Sequence, residues 1–192
     1  SIPPLKQYRP TRDLLHVSGL LLTGDTLDVF VCHLPSRSGG AKESESYRLY
    51  VAHILRTEVD SIMNIRSHPQ AIIMGDFNDY PTNQSILKIL KAEAPPVKTN
   101  DLASTTDSAN ASTVTPSSLK LYHLLARKAK SKNFGSYKFR GEWGLLDHLI
   151  VSGTLLNQSN HFFTSEEKAN VCLLPFLLKD DEKYGDKEPF RT

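Results

Sequence analysis

Apolar and polar positions divide the chain into stretches typical of strands and of helices. Apolar runs over 14–22 and 26–32, separated by a polar turn at 23–25, predict a β-hairpin. From 43 to 66, apolar residues recur every three or four positions, which predicts one long amphipathic helix. The short apolar run over 71–74 predicts a buried strand. Strand, helix and strand form a βαβ unit, so we expect the strands before and after the helix to be parallel.

The remaining stretches have weaker patterns. An extended amino-terminal segment over 1–13, placed along a sheet edge, is expected from its three prolines. The other predicted elements are a short helix after Pro81, a surface loop over 98–118, a helix over 119–132, a strand over 135–140, a turn over 141–144, a strand over 145–152, an interrupted strand over 171–178 and a loop-like tail over 179–192.

Composition restricts the number of domains and the class of partner but does not indicate a function. The 192 residues, 39% of them hydrophobic, predict one domain over 1–192 with a substantial core. A formal net charge of +2 is too small to indicate a nucleic-acid partner, although it leaves one open. Cys32 and Cys172 form no metal pattern, and Cys32 is predicted to be a buried free thiol. No apolar run reaches the length of a membrane span, and the sequence does not indicate a cellular location.

Polar side chains follow the predicted parallel strands at the points where these end. Asp76 and Asn78 come directly after the buried strand and share a face in an extended continuation. Because parallel strands end at the same edge of a sheet, His33 is expected to lie beside Asp76. Asp147 lies on an otherwise apolar face of a later strand, whereas His148 points to the other face. By itself, however, Asp-x-Asn after a strand is more often a turn than a site.

Three sequence motifs, which follow one another in the order found in one known superfamily, favour a site over a turn. Gly75-Asp76-Phe77-Asn78, together with His33-Leu34 before it and 146–152 after it, resembles the signature of the endonuclease/exonuclease/phosphatase superfamily, the DNase I-like phosphoesterases. The resemblance implies an α/β fold, a four-layer α/β sandwich of two sheets with helices outside. It also implies metal-dependent hydrolysis of a phosphodiester or phosphomonoester with Mg²⁺, Mn²⁺ or Ca²⁺ as cofactor.

The resemblance also implies a role for each matching residue. Asp76 matches the aspartate that orients and deprotonates the attacking water, and Asn78 matches the asparagine that positions this water and binds phosphate. Together, Asp76 and Asn78 are the implied metal ligands. His33 matches a histidine that binds or protonates a phosphate oxygen. Asp147 matches an aspartate that orients a second histidine.

Other polar residues have less specific interpretations. Arg37, in a loop rich in serine and glycine, is a candidate for binding the substrate phosphate, and a solvated surface arginine is an equal alternative. Asp79 is predicted to be a turn residue. The remaining histidines have no partners at ligand spacing and are interpreted as structural or surface residues; they are His16, His53, His68, His123 and His161.

Two motifs of the resembled family have no counterpart in the sequence. These are an early metal-binding glutamate and a late Ser-Asp-His motif. We therefore expect the chain to cover the central and later part of the domain, with an incomplete sandwich, and to be inactive by itself. A second copy of the chain, or segments missing from it, is expected to cover the exposed sheet edge. The alternative to an enzyme is a non-catalytic relative that keeps the fold as a binding module.

Overall fold

The computed structural model describes residues 11–97 and 117–190. Most of the extended segment expected over 1–13 and of the loop expected over 98–118 lies outside these residues. The strands in chain order are β1 (Leu15–Leu20), β2 (Thr26–His33), β3 (Gln70–Asp76), β4 (Ala92–Glu93), β5 (Leu121–His123), β6 (Tyr137–Phe139), β7 (Glu142–Gly144), β8 (Asp147–Ser152), β9 (Leu178–Asp180) and β10 (Lys187–Pro189). The helical segments are α1 (Glu45–Ile65), a π-helical stretch (Ser85–Leu90) and 3-10 turns at Lys128–Lys130, Gly153–Leu156 and Pro175–Leu177.

Six of these strands form one mixed sheet in the order β1-β2-β3-β8-β5-β4. β1 and β2 make the predicted antiparallel hairpin. β2 and β3, which α1 connects along the chain, pair in parallel as the βαβ pattern requires. β8 runs antiparallel to both β3 and β5. The prediction of an α/β fold is thus confirmed. No helix in the described part of the chain is long and apolar enough to cross a bilayer.

The main core lies between the sheet and α1. The central strands contribute Phe30, Ile73 and Ile150, each at most 1% exposed. The apolar stripe of α1 packs against them with Val51, Ala52, Leu55, Val59 and Met63. These helical positions are spaced by one, three or four residues, so they form a single face. Burial of this face, more than helix propensity, therefore fixes α1 on the sheet.

The opposite face of the sheet changes from covered to open across its width. Near β8, a second apolar cluster covers it with Leu124, Leu125, Leu145, Val151, Leu155 and Ala169. Towards β1 the same face is open, since Leu15, Val17 and Val31 are 56%, 50% and 37% exposed. This half-covered face also carries the side chains at the strand ends that are described below.

The predicted helix over 119–132 is wrong. Its first residues form β5, which pairs with both β4 and β8, and a 3-10 turn at Lys128–Lys130 follows. The three consecutive residues of β5 are all buried and face both sides of the sheet, whereas the leucines at 119, 121, 124 and 125 gave a false helical period.

Two further predictions are wrong because the strands concerned form two hairpins that depend on contact with each other although they are distant in the sequence. The expected turn over 141–144 contains β7, which pairs with β6, and the expected loop after 179 contains the β9–β10 hairpin. The hairpin is tied to β6 by Lys138, whose Nζ lies 3.0 Å from Asp181 Oδ2 with both side chains buried. Lys138 Nζ also donates to the carbonyl of Gly185 at 2.7 Å. Partners this distant in sequence leave no local pattern.

Candidate active site

Three polar side chains lie side by side where neighbouring strands end. His33 at the end of β2 is in register with Asp76 at the end of β3, and Asp76 is in register with Asp147 at the start of β8. Residues directly opposite each other on paired strands point to the same face of a sheet. His33 Nε2 lies 3.6 Å from Asp76 Oδ2, and the two side chains are 44% and 34% exposed. The arrangement is open enough to receive a ligand.

The turn after β3 holds Asn78 against Asp76. The backbone N–H of Asn78 donates to Asp76 Oδ1 at 2.8 Å, and Asn78 Nδ2 donates to the carbonyl of Leu34 at 2.9 Å. Asn78 has φ +50°, a left-handed conformation that asparagine tolerates better than most residues. Gly75 has φ +133°, and a Cβ there would lie 1.9 Å from the carbonyl oxygen of Cys32. Only glycine allows β2 and β3 to approach this closely.

Arg37 braces this turn from the loop after β2. Its Nε donates to the carbonyl of Asn78 at 2.6 Å, and its Nη2 donates to Asn83 Oδ1 at 3.3 Å. Its guanidinium carbon lies 4.5 Å from the centre of the Tyr80 ring. Arg37 therefore helps to fix the position of Asn78, and its contact with a substrate phosphate stays a prediction.

Asp79 has a larger structural role than that of a turn residue. Its carboxylate is buried and accepts hydrogen bonds from Arg48 Nε at 2.8 Å and from Ser85 Oγ at 2.6 Å. Arg48, at 1% exposure, also donates to Ser44 Oγ at 2.7 Å. This buried ion pair attaches the turn to α1. The sequence signal was an arginine among the apolar positions of α1, but nothing in the sequence indicated its partner.

Two buried histidines support the same turn from the face of the sheet that α1 covers. Since the N–H of Leu125 donates to His123 Nδ1 at 3.1 Å, that nitrogen is the acceptor, and His123 Nε2 donates to His148 Nδ1 at 2.5 Å. His148 Nε2 then donates to the carbonyl of Asp79 at 2.8 Å. Burial lowers the pKa of both rings, to about 3 for His123 and about 4 for His148. Both are neutral, and His148 points away from the face that carries Asp147.

Asp147 is held by a residue that sequence reasoning missed. Ser136 Oγ donates to Asp147 Oδ2 at 2.5 Å, and the backbone N–H of Asp147 donates back to Ser136 Oγ at 3.2 Å. The reciprocal pair fixes the carboxylate at the start of β8.

Burial, a hydrogen bond and neighbouring charges together set the pKa of Asp76. Burial raises the pKa of Asp76, and the negative charge of Asp147 raises it further. The hydrogen bond from the Asn78 N–H and the charges of His33 and Arg12 oppose this shift without cancelling it. Arg12 had no role in the sequence-based prediction, and its charge reaches the site because the segment before β1 passes nearby.

The side chains at this edge include oxygen donors suited to a hard cation. Within residues 11–97 and 117–190, no three His, Cys, Asp or Glu side chains form a metal-binding group. The carboxylate of Asp76 and the amide of Asn78 nevertheless supply oxygen donors, the kind that Mg²⁺, Mn²⁺ and Ca²⁺ prefer. Mg²⁺ commonly takes one or two protein carboxylates and keeps several waters. The residues present thus fit a partly hydrated cation.

A mixed α/β sheet with carboxylates, an amide and a histidine at adjoining strand ends defines a candidate hydrolase of phosphate esters. The chain belongs to the Endonuclease/Exonuclease/phosphatase family, whose model matches residues 3–192. The family prediction made from the three motifs is therefore confirmed. Members of this family are hydrolytic phosphoesterases that generally use divalent metals.

Solved structures share part of this architecture. The catalytic domain of human Nocturnin with bound sulfate is 21% identical, with 68% of this chain and 37% of that chain covered and a TM-score of 0.39. Truncated Caenorhabditis elegans TDP2 is 15% identical, with 73% and 46% covered and a TM-score of 0.41. The Xenopus laevis APE2 catalytic domain is 15% identical, with 74% and 46% covered and a TM-score of 0.42. A search of curated proteins found no match.

The matched part spans less than half of each of these three solved chains.

Proposed function

We propose that the protein containing this chain hydrolyses a phosphodiester or phosphomonoester by in-line attack of a water molecule that Asp76 activates. The observation that carries the proposal is the strand register, which aligns His33, Asp76 and Asp147 on one face with Asn78 bonded to Asp76. Phosphoryl transfer depends mainly on positioning and on neutralising charge, and these are the tasks such a set of side chains can perform.

Asp76 is the proposed general base. Its Oδ1 already accepts the N–H of Asn78, so Oδ2 is the oxygen that remains for the water. Burial and the neighbouring Asp147 raise the pKa of Asp76, which strengthens the carboxylate as a base. His33 Nε2, 3.6 Å from Oδ2, is placed to donate a hydrogen bond to a phosphate oxygen.

The turn beyond β3 gives this base a fixed position. Asn78 is held through its own side chain, through its N–H and through its carbonyl, which accepts from Arg37. Asp79, the next residue, is anchored by Arg48 and His148. The turn that follows the base is thus held by several hydrogen bonds, so it loses little entropy when substrate binds.

A divalent cation is the proposed cofactor, with Asp76 and Asn78 as its protein ligands. When bound, it would neutralise charge on the phosphoryl oxygens. Asp147 lies on the side of Asp76 opposite His33 and is held by Ser136. It is the proposed positioning carboxylate of the site.

Replacement of Asp76 tests the proposal most directly. In the full-length protein, Asp76→Asn should lower kcat for a chromogenic phosphodiester such as bis(p-nitrophenyl) phosphate, assayed with Mg²⁺ or Mn²⁺, by about 10²- to 10⁴-fold. Asp60→Asn, which alters a partly exposed helical ion pair with Arg56, is the matched control and should leave kcat unchanged.

The 192-residue chain assayed in parallel tests the expectation that it is inactive by itself. Full turnover by a folded Asp76→Asn protein would reject the base assignment. Absence of phosphoesterase activity from the full-length protein towards a panel of diesters and monoesters would favour the binding module instead.

A further inference from the structure

A pocket next to the proposed active site has no role in the hydrolysis described above. It lies between the segment before β1 and the loop after β2 and has a volume of about 370 Å³. Volumes of this size are common for small-molecule sites. The lining residues that matter here are Arg12, Ser36, Ser38, Ser44 and Tyr47.

Apart from Pro35, every lining residue has a side chain that can donate a hydrogen bond, and none is a carboxylate. Within the described ranges, no salt bridge involves the Arg12 guanidinium, and the hydroxyls of Ser36 and Ser38 have no hydrogen-bond partner. Ser44, in contrast, is committed, since its Oγ donates to the carbonyl of Gly40 at 2.6 Å. The pocket thus offers a cation and two hydroxyls to an incoming acceptor.

The pocket adjoins the reacting groups. Ser36 follows His33 by three residues, so the loop that lines the pocket starts at the end of β2. Arg12 lines the same pocket as Ser36, which places its charge beside the loop that begins after His33. A ligand bound at His33 and Asp76 would therefore extend towards Arg12.

We propose that this pocket binds a second, non-reacting phosphate group of the substrate, with Arg12 as its main ligand. The inference rests on the proposed function for the first phosphate, and it narrows the substrate class to compounds with two phosphate groups. A guanidinium binds phosphate through two parallel N–H bonds, and the serine hydroxyls of 36 and 38 supply further donors.

Calorimetric titration of the 192-residue chain tests the pocket without any need for turnover. The probes are inorganic phosphate, a hexose monophosphate and the matching hexose bisphosphate. The bisphosphate should bind at least about tenfold more tightly than the monophosphate, because charged hydrogen bonds contribute this much. Arg12→Gln should abolish the advantage, and Arg12→Lys should keep part of it.

The matched control is Lys130→Gln, which removes one positive charge from an exposed turn that does not line the pocket. This control should keep the full advantage of the bisphosphate. His33→Ala should weaken both sugar phosphates and leave binding of inorganic phosphate dependent on Arg12.

Equal affinity for the two sugar phosphates, or an advantage that survives Arg12→Gln, would overturn the inference. Loss of phosphate binding in His33→Ala alone would place the anion at the reacting site only and would also overturn it. If binding depends on Arg12 while the full-length protein hydrolyses no ester, the proposed function fails and the pocket stands. If hydrolysis depends on Asp76 and Arg12→Gln changes neither ligand, the pocket alone fails.

Discussion

Two adjoining buried histidines, His123 and His148, should make the fold sensitive to mild acid. Burial lowers the pKa of both rings below 6.5, to about 3 and about 4, so both stay neutral in the folded protein. In the unfolded chain their pKa returns to about 6.5. Below pH 6.5 the unfolded state therefore binds more protons than the folded state. Stability is fully present above pH 6.5 and falls as the pH drops towards 4.

The size of the effect follows from linkage. Each histidine costs about 1.4 kcal/mol for every pH unit below 6.5. At pH 5 the two together should lower the free energy of unfolding by about 4 kcal/mol. A domain has only about 5–15 kcal/mol in total, so the loss is large enough to measure.

Urea unfolding at pH 7 and pH 5 measures this loss, with Trp143, the single tryptophan, as the fluorescent reporter. The double variant His123→Gln/His148→Gln keeps amide donors and acceptors but cannot take up protons, so its midpoint should depend less on pH. His53→Gln changes an exposed histidine and should behave like the unaltered chain. A loss below about 1 kcal/mol in the unaltered chain, or an equal loss in the double variant, would refute the reasoning.

Two substitutions test the turn after β3. Gly75→Ala should lower the free energy of unfolding by at least about 2 kcal/mol, because its Cβ would meet the Cys32 carbonyl at a positive φ. Asp79→Asn should cost about 3–5 kcal/mol, because it leaves the buried Arg48 guanidinium without a charged partner. Denaturant titration followed by circular dichroism at pH 7 measures both.

Each of these variants has a control in the same chain. Gly19→Ala adds a Cβ that meets nothing within 4 Å, so it should be close to neutral. Asp60→Asn removes the negative charge from a partly exposed pair with Arg56, so it should cost less than about 1 kcal/mol. Costs for Gly75→Ala and Asp79→Asn no larger than those of their controls would contradict the roles assigned to the turn.

Elements with a local hydrophobic repeat could be predicted from the sequence. The helix α1 and the parallel pair β2 and β3 follow from apolar spacing alone, since a buried stripe or a buried run leaves a repeat in the chain. The same βαβ logic predicts that His33 lies beside Asp76, and the strand register confirms it. The family could also be predicted from the sequence, because its three motifs occur in the expected order and contain polar residues at strand ends.

Tertiary structure alone decided β5 and the carboxyl-terminal hairpin. Leu121–His123 is a strand only because β4 and β8 lie on either side of it. The β9–β10 pair depends on Lys138, more than forty residues before Asp181. Helical and strand preferences differ by fractions of a kcal/mol per residue, so packing partners override them.

The supports of the candidate site were likewise beyond the reach of the sequence. The bond from Arg48 to Asp79 spans 31 positions and that from His123 to His148 spans 25, and neither spacing corresponds to a helical or strand period. A sequence shows which residues have side chains that can act as acids, bases or ligands, because the residue type alone decides this. It does not show which charges are buried together, because that depends on how distant segments pack in the folded chain.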